Sequence, residues 1–351
     1  MKKVLATILA LVMAIGLCSV SWADEAKVAK IGDTEYATLK AAIEAVADGD
    51  TIVLTADVNN GDGIVVTSGK NFTLDFAGHT YTITQNVVGS TGTESQCFQL
   101  LKDSTITMKD GAIVANCTGA KMIIQNYCNL TLDNMKLDAT VGDNNVGYVV
   151  SNNCGKVVIK NGTTITAKTT GVAFDVYGGF QNYGDVSVTL EAGATVNGKV
   201  EVARDTGTQN KNTLTVTGGT VNGELVVTEN EKTEVAVTGG TFSTDVTEYL
   251  AEGKILQKNG DTYTAVTNSA ITSGTYTSEP TVPSGYKATK NDDGTWTVSK
   301  VSYYYYHSTT DTKANDTKGS PKTFDAGIAL YVGMALTSAA GVAFVGKKRE
   351  D

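Results

Sequence analysis

The stretch Leu214–Gly223, LTVTGGTVNG, constrains the fold more than any other part of the chain, because variants of it recur in phase along most of the length. Two apolar residues flank a Thr, a Gly corner follows, and a new alternating segment begins. With Val216 as the reference, the equivalent residues are Leu74, Met108, Leu132, Ile159, Leu190, Val216 and Val237. Two positions earlier stand Phe72, Ile106, Leu130, Val157, Val188, Leu214 and Val235, all apolar. The residue between them is mostly Thr. Such period-two alternation is the pattern of strands that bury one face. Three positions after the reference, Gly111, Gly162, Gly193, Gly219 and Gly240 mark a corner that needs a positive φ or a close backbone approach.

The copies are spaced from 21 residues (Val216 to Val237) to 34 (Leu74 to Met108). The short spacing is what three short strands and three corners consume, and the long ones leave room for loops. One coil buries nothing alone, whereas stacked coils bring their inward side chains together. The expected fold class is all-β: a right-handed parallel β-helix, a solenoid, with an N-terminal capping helix and a C-terminal transmembrane helix. A β-sandwich is the competing architecture for many short strands. It has no use for a Gly repeated at the same corner. Composition agrees with strands and Gly corners, with 41% apolar residues and 37 Gly against three Pro.

The residue after the reference runs Asp75, Lys109, Asp133, Lys160, Glu191, Thr217, Thr238. In a parallel stack these side chains point outward about 4.8 Å apart. Alternating signs suit register control, since like charges in line repel. A carboxylate pair for acid–base chemistry is the alternative, and the Lys beside each carboxylate argues against it.

The flanks follow from the same reading. Tyr36 to Ala47 carries Leu39, Ile43 and Val46 on one helical face, which suits a cap on the open end of the stack. A short helix near Val246–Ala251 and a hairpin around Asn259-Gly260 read as the closing cap, so the solenoid domain is expected over residues 24–266. Residues 267–301 read as a small β-hairpin module, and 302–325 as a polar linker that includes Tyr303–Tyr306.

Residues 1–23 have the form of a secretory signal peptide, with Lys2 and Lys3, an apolar run, and Ser21-Trp22-Ala23 before a cut between Ala23 and Asp24. Residues 326–346 carry no charge and reach about 31 Å as a helix, enough to cross a bilayer core. The basic tail at 347–351 predicts a cytoplasmic C-terminus. The net charge of -9 leaves no cationic excess for phosphates, so nucleic acid is not expected as a partner.

Just before the span stand Ser320, Pro321, Lys322, Thr323 and Phe324. Motif, apolar span and basic tail together resemble the sorting signal of Gram-positive cell-wall proteins. That resemblance implies cleavage after Thr323 by a sortase and linkage to peptidoglycan. Ser320 stands where that family has Leu, and Phe324 where it has Gly, so an uncleaved membrane anchor is the alternative. The expected location is the surface of a Gram-positive-type bacterium, with the bulk of the chain outside.

Cys97, Cys117, Cys128 and Cys154 follow the signal, with no C-x-x-C pair and almost no His, which argues against zinc. Cys128 and Cys154 fall at nearly matching corners of adjacent coils, where a disulfide or two free thiols would fit. Over residues 35–266 the chain is similar to the pectate-lyase-like β-helix superfamily, which implies polysaccharide lyases, glycoside hydrolases or surface adhesins. Lyases of that group hold calcium on clustered Asp, and hydrolases pair Asp on neighbouring coils. Here Asp143, Asp175, Asp185 and Asp205 look scattered, Arg204 is the one Arg before the tail, and His79 reads as a corner residue. No catalytic residue, metal ligand or cofactor is called for, and no acidic cluster supports calcium.

The leading expectation is a non-enzymatic adhesin or display module for a carbohydrate or host-surface ligand. A β-helix lyase or hydrolase, with loops Val87–Gln96 or Thr140–Gly147 building a groove, is the second. A structural envelope component is the third.

Overall fold

A computed structural model describes residues 26–302. Over this range the chain is almost entirely β, with a single α-helix, and its long ladders are parallel. Each coil places one strand in each of three ladders before the chain moves up to the next. The first ladder joins eight segments in order, from Thr51–Leu54 through Asn71–Asp75 to Asn212–Val216 and Thr233–Val237. The second runs from Val58–Gly61 to Thr241–Phe242. The third is a seven-stranded sheet from Ile64–Val66 to Leu225–Val227.

The first ladder reproduces the column of reference residues without a slip. Leu74 pairs with Met108, Met108 with Leu132, and so on through Ile159, Leu190, Val216 and Val237. All are buried, together with Phe72, Ile106, Leu130, Val157, Val188 and Leu214 from the second apolar column. Each such side chain contributes about 1.5–3 kcal/mol by leaving water. An additional rung lies below them, where Ile52 pairs with Leu74. It breaks the repeat pattern because Asp50 occupies the place of the first apolar residue.

Corners are made by a residue in the left-handed region, but Gly is not always the one. Gly162, Gly193, Gly219 and Gly240 have φ of 78°, 82°, 81° and 106°. In the coil of Gly111 that role falls to Asp110 at φ 57°, and in the next coil to Asn134 at φ 53°. Asn and Asp adopt this region more readily than other residues with a Cβ, and the two corners are tied together where Asn134 Nδ2 donates to Asp110 Oδ1 on the coil below at 2.9 Å. Gly111 is needed for approach instead, since a Cβ there would lie 2.5 Å from the His79 carbonyl oxygen.

The alternating charges are in register. Asp75 pairs with Lys109, and Lys109 with Asp133. Lys109 Nζ lies 2.6 Å from Asp75 and 2.9 Å from Asp110, and Lys160 Nζ lies 2.6 Å from Asp133.

Helix α1, Leu39–Ala45, packs Leu39, Ala42 and Ile43 against the core beneath the first rung. It begins later than the sequence suggests, because Thr38 caps it by accepting from Ala41 N–H at 3.1 Å, and Tyr36 belongs to a strand, Thr34–Tyr36. At the far end a 3₁₀ turn at Thr247–Tyr249 leads into the hairpin Lys254–Asn259 with Thr262–Thr267. Strands Gly274–Tyr276, Tyr286–Lys290 and Trp296–Lys300 continue that antiparallel sheet. Residues 267–301 thus share a small core with the closing hairpin, built from Ile255, Ile271, Tyr276 and Val298. The expected signal peptide, linker, sorting-like motif Ser320–Phe324, membrane span and basic tail lie outside the described residues.

Candidate binding site

The third ladder carries its own outward column: Gln99, Gln125, Ser151, Asp175 and Glu201, each paired with the next. Gln99 Nε2 donates to Gln125 Oε1 at 3.2 Å, and Ser151 Oγ to Asp175 Oδ2 at 3.1 Å. Asp175 is fully buried and also accepts from Asn152 N–H at 2.6 Å. Arg204 Nε lies 3.8 Å from its Oδ2. Burial outweighs these favourable partners and pushes the Asp175 carboxyl up to about 7. One rung on, Glu201 accepts from Tyr148 OH at 3.2 Å and lies 2.6 Å from Lys199 Nζ.

Arg204 links this column to a group of aromatic rings. Ala203 before it sits at φ 52°, which turns the chain out of the ladder. The guanidinium lies 4.0 Å from the Tyr177 ring centroid and 5.3 Å from that of Tyr148, within cation–π range. Tyr177 OH donates to Asp205 Oδ2 at 2.7 Å, a bond that raises its phenol pKa because Asp205 holds the proton in place. Phe180 stands edge-on to Tyr127, Tyr177 and Tyr183, with centroids 5.9, 6.0 and 5.8 Å away, and Tyr127 and Tyr183 are 4.7 Å apart. Phe180 and Tyr183 each leave 38% of their surface in solvent. A partly exposed apolar ring offers a face on which the apolar side of a ligand can stack.

Polar anchors fix the segment that carries these rings. Asn210 Nδ2 donates to the Gly178 and Phe180 carbonyls at 3.0 and 2.8 Å, and Gly178 N–H donates to Asn212 Oδ1 at 2.6 Å. Cys154 Sγ donates to the Tyr183 carbonyl at 2.6 Å.

Stacking therefore brings together Asp175, Arg204 and Asp205, which look scattered in the sequence. Asp143 and Asp185 stay apart: Asp143 N–H is held by Asn116, and Asp185 accepts from Lys211 N–H at 2.8 Å. The aromatic residues were missed because they come from three successive coils. A signal existed in the polar column, where Ser151 and Asp175 are 24 residues apart.

The loops expected to build a groove lie at a different corner. Val87–Gln96 and Thr140–Gly147 both connect the second ladder to the third, whereas the rings cluster where the third passes to the first. Thr140–Gly147 lies down on the coil below, with buried Asn144 donating to the Ala115 and Ala139 carbonyls. Two open cavities of about 540 Å³ lie away from the rings, one lined by Glu229, Thr233, Glu248 and Tyr249, the other by Lys168, Gly171, Lys199 and Glu224.

His79 is a corner residue, 3.2 Å from Asp57. All four described cysteines are free thiols, so Cys128 and Cys154 are unbridged; Cys128 Sγ bonds Asn126 Oδ1 at 3.2 Å. The neighbouring Cys97 thiol pulls the Cys117 thiol down to about 7, while Cys97 itself is pushed up. Among the described residues no group of three or more His, Cys, Asp or Glu is placed to hold a metal ion, and no helix is long and apolar enough to cross a membrane.

No family model matches the chain, and no curated protein or solved structure is significantly similar to it.

Proposed function

We propose that the protein is a non-enzymatic cell-surface module, built as a right-handed parallel β-helix, that binds a glycan or host-surface ligand through Tyr127, Tyr177, Phe180 and Tyr183. Export by residues 1–23 and retention by the 326–346 span, with or without sortase linkage at Thr323, would display it outside the cell. The observation that carries this reading is the partly exposed ring cluster, kept rigid by Asn210, Asn212 and Arg204.

Asp175 and Glu201 on adjacent rungs resemble the carboxylate pair of a hydrolase. Their surroundings favour a supporting role. Asp175 has no surface for a substrate to touch and already serves Ser151, Asn152 and Arg204. Its task in this reading is to seat Arg204 against Tyr177.

Cells displaying the full chain test the proposal. Replacing Phe180 and Tyr183 together by Ala should lower binding to immobilised glycans or host cells by about tenfold or more, since each stacked ring contributes on the order of 0.5–1.5 kcal/mol. Unchanged binding would remove the rings from the site. Depolymerisation of a polysaccharide at enzyme-like rates would overturn the non-enzymatic reading.

A further inference from the structure

Asn153 occupies the rung between Tyr127 and Tyr177. Its neighbour Asn152 pairs with Asn126 below and Val176 above, one residue before each Tyr. The backbone confirms the order: Asn153 N–H donates to the Asn126 carbonyl, and Tyr177 N–H to that of Asn152. The side chain is 1% exposed, and neither Oδ1 nor Nδ2 has a hydrogen-bond partner among the described residues. A carboxamide sealed in this way is unfavourable, because it has given up water and received nothing in return. It shares this corner with Tyr127 and Tyr177; the Phe180 ring touches both tyrosines, and the Tyr183 ring touches Tyr127.

Charges around the cluster are already engaged. Arg204 is matched by Asp175, Lys199 by Glu201, and Asp205 by the Tyr177 hydroxyl. Arg204 and Lys199 thus each lie against a carboxylate of this chain. The Asn153 carboxamide adds an unpaired neutral donor and an unpaired neutral acceptor at the same corner.

We propose that the ligand is a neutral pyranose, whose apolar face stacks on Phe180 and whose adjacent hydroxyls pair with Asn153 Oδ1 and Nδ2. Entry requires the Phe180 and Tyr183 side chains to rotate apart while Asn210 and Cys154 hold the backbone that carries them. The hydroxyl pair satisfies both halves of the carboxamide at once, whereas an alkyl or aryl ligand leaves them orphaned. This inference rests on the ring cluster being the binding site and adds the class of ligand and the residue that reads it.

The test is calorimetry on the full chain in a zwitterionic detergent, with neutral gluco-, galacto- and manno-oligosaccharides and with oligogalacturonate as probes. Wild type should bind at least one neutral series more tightly than the uronate. The variant Asn153→Leu should lose about tenfold or more of that affinity while its melting temperature rises, because the buried orphan is gone. A merely structural Asn would not move the two readouts in opposite directions. If Asn153→Leu binds as wild type does while Phe180→Ala fails to bind, the ring platform stands and the role of Asn153 is overturned. Preference for the uronate overturns the ligand class, and no binding of any probe by wild type overturns both readings.

Discussion

Two outward columns run up the same stack and have opposite characters. On the first ladder Asp75, Lys109, Asp133 and Lys160 face solvent and pair with one another. On the third, Gln99, Gln125, Ser151, Asp175 and Glu201 hold the same relation to their rungs, but Asp175 is sealed from water. The strands are alike in length and register. The difference lies in the corner that follows: Asp-Gly and Asn-Gly turns stay low beside the first column, while Tyr177–Gly184 and Arg204 fold back over the second. Parallel stacking delivers polar side chains at a fixed interval, and the covering segment decides whether they tune the register or support a site.

The comparison breaks most readily at Asp175. Replacing it by Ala orphans Asn152 N–H and Ser151 Oγ inside the protein, at about 1–3 kcal/mol for each group, and frees Arg204 from its place over Tyr177. Urea denaturation should show the loss, and the shape-preserving Asp175→Asn should recover much of it. If Asp175→Ala unfolds at the wild-type midpoint, the third column is no more structural than the first.

A pH titration sharpens the contrast. Asp175 holds its proton up to about pH 7 in the folded chain, whereas its ordinary value is 3.8. Between these values the unfolded chain binds fewer protons than the folded one, so this group makes stability fall as pH rises from about 4 to 7. The slope should flatten in Asp175→Asn, measured by denaturant midpoints across that range. A wild-type slope of the opposite sign, unchanged in the variant, would place the titration elsewhere.

The smallest effect is expected on the first column. Lys109→Met removes contacts to Asp75 and Asp110 at a partly exposed position and should cost about 0–1 kcal/mol at low salt, with the difference shrinking toward 1 M salt as screening strengthens. A larger, salt-independent loss would mean that this column is as tightly built as the other.

The first ladder was legible in the sequence because every copy spends two apolar residues and a small corner on it. The rung at Ile52 was hidden where Asp50 breaks the pair, the place where α1 rather than another coil supplies the covering apolar surface. The site was illegible for a different reason. Tyr127, Asn153, Tyr177 and Arg204 share no motif, and only the rise from coil to coil makes them neighbours. A second alignment, phased on Gln125, Ser151, Asp175 and Glu201, would have placed Tyr127, Asn153 and Tyr177 on one edge.

The two ends of the stack bear on how copies of the chain meet. At the start, Ala29–Ile31 lies antiparallel on Ile52–Leu54, and at the finish Thr241–Phe242 meets Tyr263–Thr264 antiparallel as well. Each reverses the parallel direction of the ladder it closes, the first ladder at the start and the second at the finish. A molecule approaching end-on in parallel register thus finds the wrong hydrogen-bond pattern at these two edges, and an end-to-end contact is left to the third ladder, whose terminal strands Ile64–Val66 and Leu225–Val227 have no capping strand among the described residues.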